Sequence, residues 1–289
     1  MQSFRSLTTL VLVLGAVACA SNGGAGASGG AASASGGSEN TAGAGATSGG
    51  ASSGGAVASG GAAAGAAPLA NPPPLTDTVT LHIAGDSTAA VFPADDPRVG
   101  WAAVLQQFFG DGVVVNDKAL SGRSTKSYID EGAWVGLESQ IKQGDYLFIE
   151  FGHNDEKIED PTRFTDATTT YRDNLRIFID GARAKGGYPV LMTPIARRKF
   201  SGTKVPSSHA LYPQAVKIVG AEKGVPVIDM EAKTTVWLEA LGVDASLPMF
   251  APADNTHLSA MGAPEVARLA VDGIREAGFP IGERLLPAP

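Results

Sequence analysis

From Val79 onward, short runs of consecutive apolar residues alternate with longer stretches in which apolar positions recur every three or four residues. The short runs are Val79 to Ala84, Val113 to Asn116, Tyr146 to Phe151, Val190 to Thr193 and Val225 to Asp229. They are rich in Val, Ile, Leu and Phe and largely apolar throughout, the pattern of strands buried on both faces. Helical spacing covers Trp101 to Phe109, Trp134 to Lys142, Thr169 to Lys185, Tyr212 to Lys223 and Met230 to Leu241, with a last helix after Ser259. Strand and helix in turn predict an α/β fold, a parallel five-stranded sheet between two helical layers, joined by right-handed crossovers. The result is a three-layer αβα sandwich without a solenoid or propeller repeat.

Ahead of this pattern the chain has a different character. Residues 20 to 67 are almost only Gly, Ala and Ser, which cannot bury a core, so residues 20–74 are expected to form a disordered linker, stiffened at its end by Pro72-Pro73-Pro74. One globular domain, 75–289, remains. Residues 1–19 carry Arg5, an apolar stretch from Leu10 to Val17 and small residues, the layout of an export signal too short to span a bilayer. Cys19 is the only cysteine, so no intrachain disulfide can form. Its setting, Ala16-Val17-Ala18-Cys19, resembles a bacterial lipobox, which implies a lipid anchor on Cys19 and a place at the cell surface or outer membrane. The alternative is an ordinary secretory signal cut near Ala18 or Ala20.

Only Arg5 and Glu39 are charged before Leu75, so the net charge of -7 belongs to the domain. A mildly acidic domain without a Lys/Arg run makes nucleic acid a poor electrostatic partner.

Chemistry gathers at the predicted strand ends. Gly85-Asp86-Ser87 follows the first strand, Ser121-Gly122-Arg123-Ser124 the second, and Gly152-His153-Asn154-Asp155 the third. Loops leaving the carboxyl ends of parallel strands share one edge, so these three should converge. A serine hydroxyl needs a base to become nucleophilic, and the base needs a carboxylate to hold its tautomer. Ser87, His257 and Asp254 can supply these parts, Asp254 and His257 being close enough for one turn to align them. Attack on an ester concentrates charge on the carbonyl oxygen; candidate donors are the Ser87 and Gly122 backbone N–H groups and the Asn154 amide.

Read together, Gly85-Asp86-Ser87, Gly122, Gly152-x-Asn154-Asp155 and Asp254-x-x-His257 resemble the four blocks of the SGNH (GDSL) hydrolases, in that family's order. Gly85-Asp86-Ser87-Thr88, Asn116-x-x-x-x-Ser121-Gly122-Arg123-Ser124 and Phe151-Gly152-His153-Asn154-Asp155 are similar to the rhamnogalacturonan acetylesterase branch. The resemblance implies a flavodoxin-like fold and a serine esterase with a Ser87-His257-Asp254 triad and an oxyanion hole of Ser87, Gly122 and Asn154. It also implies an acetylated plant cell-wall polysaccharide or oligosaccharide as substrate. A lipid or aryl esterase, a thioesterase, or a non-catalytic carbohydrate-binding surface protein are the rivals.

Arg123 and His153 are candidate substrate contacts, His153 equally a brace for its loop. Arg123, Lys126 and Arg198 could touch substrate, though solvated charge is the simpler reading. His82 reads as structural, and His209, in a Pro/Ser loop, as exposed. Trp101, Trp134 and Trp237 read as core more than as sugar platforms. Scattered histidines without His-Glu-x-x-His give no metal site, so no metal or cofactor is expected.

Overall fold

The computed structural model describes residues 70–287. The expected signal, Cys19 and most of the linker lie outside the described residues.

Five parallel strands, β1 (Val79–Gly85), β2 (Val113–Asp117), β3 (Tyr146–Glu150), β4 (Tyr188–Met192) and β5 (Val227–Ile228), form one sheet in the order β2-β1-β3-β4-β5. Side chains of successive strand residues point to opposite faces, and both faces are covered, which is why the runs are apolar without alternation. Tyr146, Phe148, Val190 and Met192 join one core, and Leu147, Ile149 and Leu191 the other.

Among the described residues six α-helices and three 3₁₀ segments complete the layers: α1 (Thr125–Asp130), α2 (Ala133–Glu138), α3 (Thr170–Ala184), α4 (Tyr212–Lys223), α5 (Met230–Ala245) and α6 (Gly262–Glu276). The first core holds residues of the 3₁₀ segment Ala102–Phe108, α5 and α6; the second holds residues of α1 to α4. The three-layer αβα sandwich and its parallel five-stranded sheet are therefore as expected, and the strand order reverses between β1 and β3.

Several details differ from the periodicity, among them α2, which stops at Glu138 short of Lys142, and β5, which keeps only Val227–Ile228. The stretch beginning at Trp101 is 3₁₀ rather than α, and α1 was not anticipated. Its six residues are too few to display a repeat; Ser124 starts it, with a reciprocal Ser124–Ser127 capping box. Helix α5 extends past Leu241 across a kink at Gly242, whose φ of 78° is non-helical. Trp101 and Trp134 are core residues, while Trp237 is half-buried against the core.

Candidate active site

The strand order puts the carboxyl ends of β1 and β3 side by side at the reversal point, the place where open parallel sheets generally bind their ligands. Ser87 leaves β1 there and Asn154 leaves β3. The turn that presents Ser87 is built by Asp86, whose Oδ1 accepts from the Thr88 backbone N–H and hydroxyl, both at 2.9 Å. Behind it, His153 Nδ1 lies 3.1 Å from Asp86 Oδ2, and both side chains are buried. Burial opposes charge on Asp86, but His153 and the Thr88 donors outweigh it and hold the carboxyl well below its usual range. Burial pushes His153 the other way, toward the neutral ring.

Asp254 and His257 arrive from the loop before α6. Asp254 Oδ1 accepts from the backbone N–H groups of Thr256 at 2.7 Å and His257 at 3.0 Å, closing an Asx-type turn. Its other oxygen faces His257 Nδ1 at 2.7 Å, and His257 Nε2 lies 2.8 Å from Ser87 Oγ. Burial raises the Asp254 carboxyl, but the His257 ring and the two backbone donors prevail and lower it. Two residues 170 positions apart thus meet in a hydroxyl–imidazole–carboxylate chain.

The same loop is held from outside. Arg198 donates to Asn255 Oδ1 at 3.3 Å and to Ser246 Oγ at 2.9 Å, and its backbone N–H donates to the Asn255 carbonyl at 2.7 Å. Arg197 bridges Thr256 Oγ1 and Glu156. The Phe92 and His257 rings lie nearly perpendicular with centroids 6.4 Å apart, and Arg98 stacks over Phe92. Arg198 is therefore a brace of this loop rather than simply a solvated charge.

Of the expected oxyanion donors, Gly122 has a φ of 78°, a conformation that favours glycine. Among the described residues neither the Ser87 nor the Gly122 N–H finds an acceptor in the chain. Asn154 Nδ2 donates to the Arg123 carbonyl at 3.0 Å, which ties the β3 loop to the Gly122 loop.

Arg123 itself is half-buried and bonded to Glu131 at 2.9 Å and to the Ser121 carbonyl at 3.0 Å. Lys126 pairs with Asp130. His153 is enclosed beside Asp86 and braces the loop; His82 is buried, 3.3 Å from Asp145. His209 corrects the expectation of an exposed residue. It is fully buried, with Nδ1 3.1 Å from Glu156 Oε2, Nε2 2.9 Å from the Ile195 carbonyl, and its ring edge-on to His153 at 4.5 Å. Two acceptors matched to its two nitrogens outweigh the surface composition of its loop. Among the described residues no cluster of His, Cys, Asp and Glu forms a metal-binding group.

Reading motifs alone missed Lys157, Arg197 and Phe92. A lysine, an arginine and a phenylalanine in loops carry no signal of their own; only the spacing of Lys157, three residues after Asn154, hinted at a contact.

The chain matches the model of the GDSL-like lipase/acylhydrolase family over residues 83–263. Over 223 residues it is 39% identical to rhamnogalacturonan acetylesterase RhgT of Bacillus subtilis (strain 168), covering 72% of this chain and 94% of that protein. It is 32% identical to the probable rhamnogalacturonan acetylesterase YesY of the same organism, covering 71% of this chain and 97% of that one. In three dimensions it is similar to Bacillus subtilis YxiM, with a TM-score of 0.65 at 23% identity over 71% of this chain and 58% of that one. It is also similar to the acetylxylan esterase Axe2 of Geobacillus stearothermophilus, with a TM-score of 0.54 at 19% identity over 70% and 96% of the two chains.

Proposed function

The chain belongs to the GDSL-like lipase/acylhydrolase family and is a carboxylic ester hydrolase, and from that premise we propose that it removes O-acetyl groups from rhamnogalacturonan or a similar pectic polysaccharide of the plant cell wall. The observation that carries the reading is the Ser87 Oγ to His257 Nε2 approach of 2.8 Å, backed by Asp254, in a chain so close to a rhamnogalacturonan acetylesterase.

In the first step Ser87 Oγ attacks the acetyl carbonyl carbon and its proton passes to His257 Nε2. The oxyanion is met by the Ser87 and Gly122 N–H groups and the Asn154 amide, each donor being worth roughly a hundredfold to a thousandfold in rate. Collapse breaks the bond to the sugar oxygen, which leaves with the proton from His257. Water then gives its proton to His257 and attacks the acetyl-enzyme, releasing acetate and restoring Ser87. Asp254 keeps the Nδ1–H tautomer and steadies the imidazolium.

Acetate release from acetylated pectin, acetylated xylan and a p-nitrophenyl ester series of rising chain length tests the substrate. Pectic substrate and the acetyl ester should be turned over fastest, and Ser87→Ala should abolish release while leaving the thermal melt unchanged. Preference for long acyl chains would overturn the carbohydrate reading, and full activity in the alanine variant the triad.

The leader supports export, with Cys19 lipidated and the Gly/Ala/Ser-rich segment after it tethering the domain off the surface. The expected linker's last residues, 70–74, belong with the domain instead, the Ala70 N–H donating to the Gly224 carbonyl at 3.1 Å and its carbonyl accepting from the Tyr188 hydroxyl at 2.9 Å. Wild-type protein should enter the detergent phase of a two-phase extraction and Cys19→Ser should not; a wild-type protein found only in the aqueous phase would refute the anchor.

A further inference from the structure

Asn154 carries three residues later a lysine whose ammonium folds back on it: Lys157 Nζ donates to Asn154 Oδ1 at 2.8 Å, and the Lys157 backbone N–H donates to the Asn154 carbonyl at 3.3 Å. The other end of the amide is committed as well, since Nδ2 donates to the Arg123 carbonyl at 3.0 Å. An amide offers one acceptor oxygen and two N–H donors, so these contacts leave a single N–H uncommitted. Turning the amide over would set its NH₂ against an ammonium and its oxygen against a carbonyl. Both contacts therefore select the same face. We infer that Lys157 is a positioning residue that locks the Asn154 amide with its remaining N–H available to the oxyanion and, by a charge-assisted bond to Oδ1, polarises that N–H toward a stronger donor.

The inference rests on the proposed role of Asn154, so the experiment separates the two. Steady-state kcat and KM for p-nitrophenyl acetate are measured for wild type, K157M, K157R, N154A and the K157M/N154A double variant, with thermal melts as a folding check. Methionine keeps most of the length and apolar stem of a side chain that is only half-buried. K157M should lower kcat by roughly tenfold to a hundredfold, less than N154A, with KM altered less than about twofold. K157R should recover most of the loss, because a guanidinium can supply the same charged donor. Once Asn154 is alanine, K157M should cost less than about twofold further, since the group it acts through is gone.

A wild-type kcat in K157M, or losses that multiply in the double variant, would overturn the positioning role. N154A with wild-type kcat would instead overturn Asn154 as an oxyanion donor, and a wild-type enzyme inert toward every ester would overturn the hydrolase reading itself.

Discussion

Asp254 performs two jobs with one carboxylate. Oδ1 closes the turn by accepting from Thr256 and His257, and Oδ2 orients the His257 ring. An Asx turn and a triad carboxylate are alternatives when only Asp-x-x-His is visible; in the folded chain they are the same side chain. Asp254→Asn keeps its one acceptor oxygen for the turn only by presenting its NH₂ to Nδ1, so the ring loses the tautomer that leaves Nε2 free to accept the serine proton. We expect kcat for p-nitrophenyl acetate to fall by about a thousandfold to ten-thousandfold, with the melting temperature shifted by only a few degrees. An activity loss under tenfold would remove Asp254 from the reaction. The catalytic residue types were legible because their chemistry restricts them: a serine after Gly-Asp, a glycine able to take positive φ, and an Asp-x-x-His. Lys157 and Arg197 were not, since what distinguishes them is a partner far away or folded back in space. His209 was misread for the same reason, its acceptors at Glu156 and Ile195 lying 53 and 14 residues off.

At the scale of elements, buried strands announced themselves by continuous apolar runs, and α4 was read with both ends in place. Short or irregular segments were not readable: α1 spans less than two turns, and β5 shrinks to two residues at the sheet edge. Between β1 and the first 3₁₀ segment, the chain from Val91 to Gly100 loops out and returns against the nucleophile turn. Its return is guided by backbone bonds from Gly100 N–H to the Ala90 carbonyl and from Trp101 N–H to the Thr88 carbonyl. Contact is so close that a Cβ on Gly100 would lie 2.2 Å from the carbonyl carbon and oxygen of Ala89. Backbone cannot swing aside as a side-chain tip does, so Gly100→Ala should destabilise the domain by about 3 kcal/mol and displace Ser87 from His257. Urea unfolding together with esterase activity checks this; unchanged stability and rate would mean that the loop has slack its geometry denies. Gly202, whose Cβ would meet nothing within 4 Å, gives no such steric clash to test against, although its φ of 62° still disfavours alanine.

Across the whole molecule, the catalytic edge of the sheet rests on buried acids held in different states. Burial, with the negative Asp86 nearby, pushes Glu150 up to about 8, against hydrogen bonds from Trp101, Ile195 and Thr88. Burial likewise raises Asp155 to about 7, although Thr125 and Thr165 bond to it. A neutral Glu150 also makes sense of the hydrogens. Thr88 Oγ1 is 2.9 Å from Asp86 and 3.2 Å from both Glu150 oxygens but has one proton to give; it donates to ionised Asp86 and can accept from protonated Glu150. In the unfolded chain Glu150 would lose its proton near 4.5, whereas the folded chain holds it until about 8. Between those values the native state binds more protons, so this contribution is complete below about pH 4.5 and is lost as pH rises toward 8. Asp155 acts in the same direction over a window from 3.8 to about 7. Asp254 and Asp86, whose values are lowered, act in the opposite sense and lose their contribution only on strong acidification. Glu150→Gln retains an acceptor for the Trp101 indole and a donor for Thr88 while removing the titration. Buried His82 and His153, both pushed toward the neutral ring, act in the opposite sense, so the Glu150 contribution is read as a difference. In urea titrations between pH 5.5 and 8.5 the unfolding free energy of the wild type relative to Glu150→Gln should decline as pH rises. Parallel curves for the two proteins would mean that Glu150 is already ionised in the folded molecule.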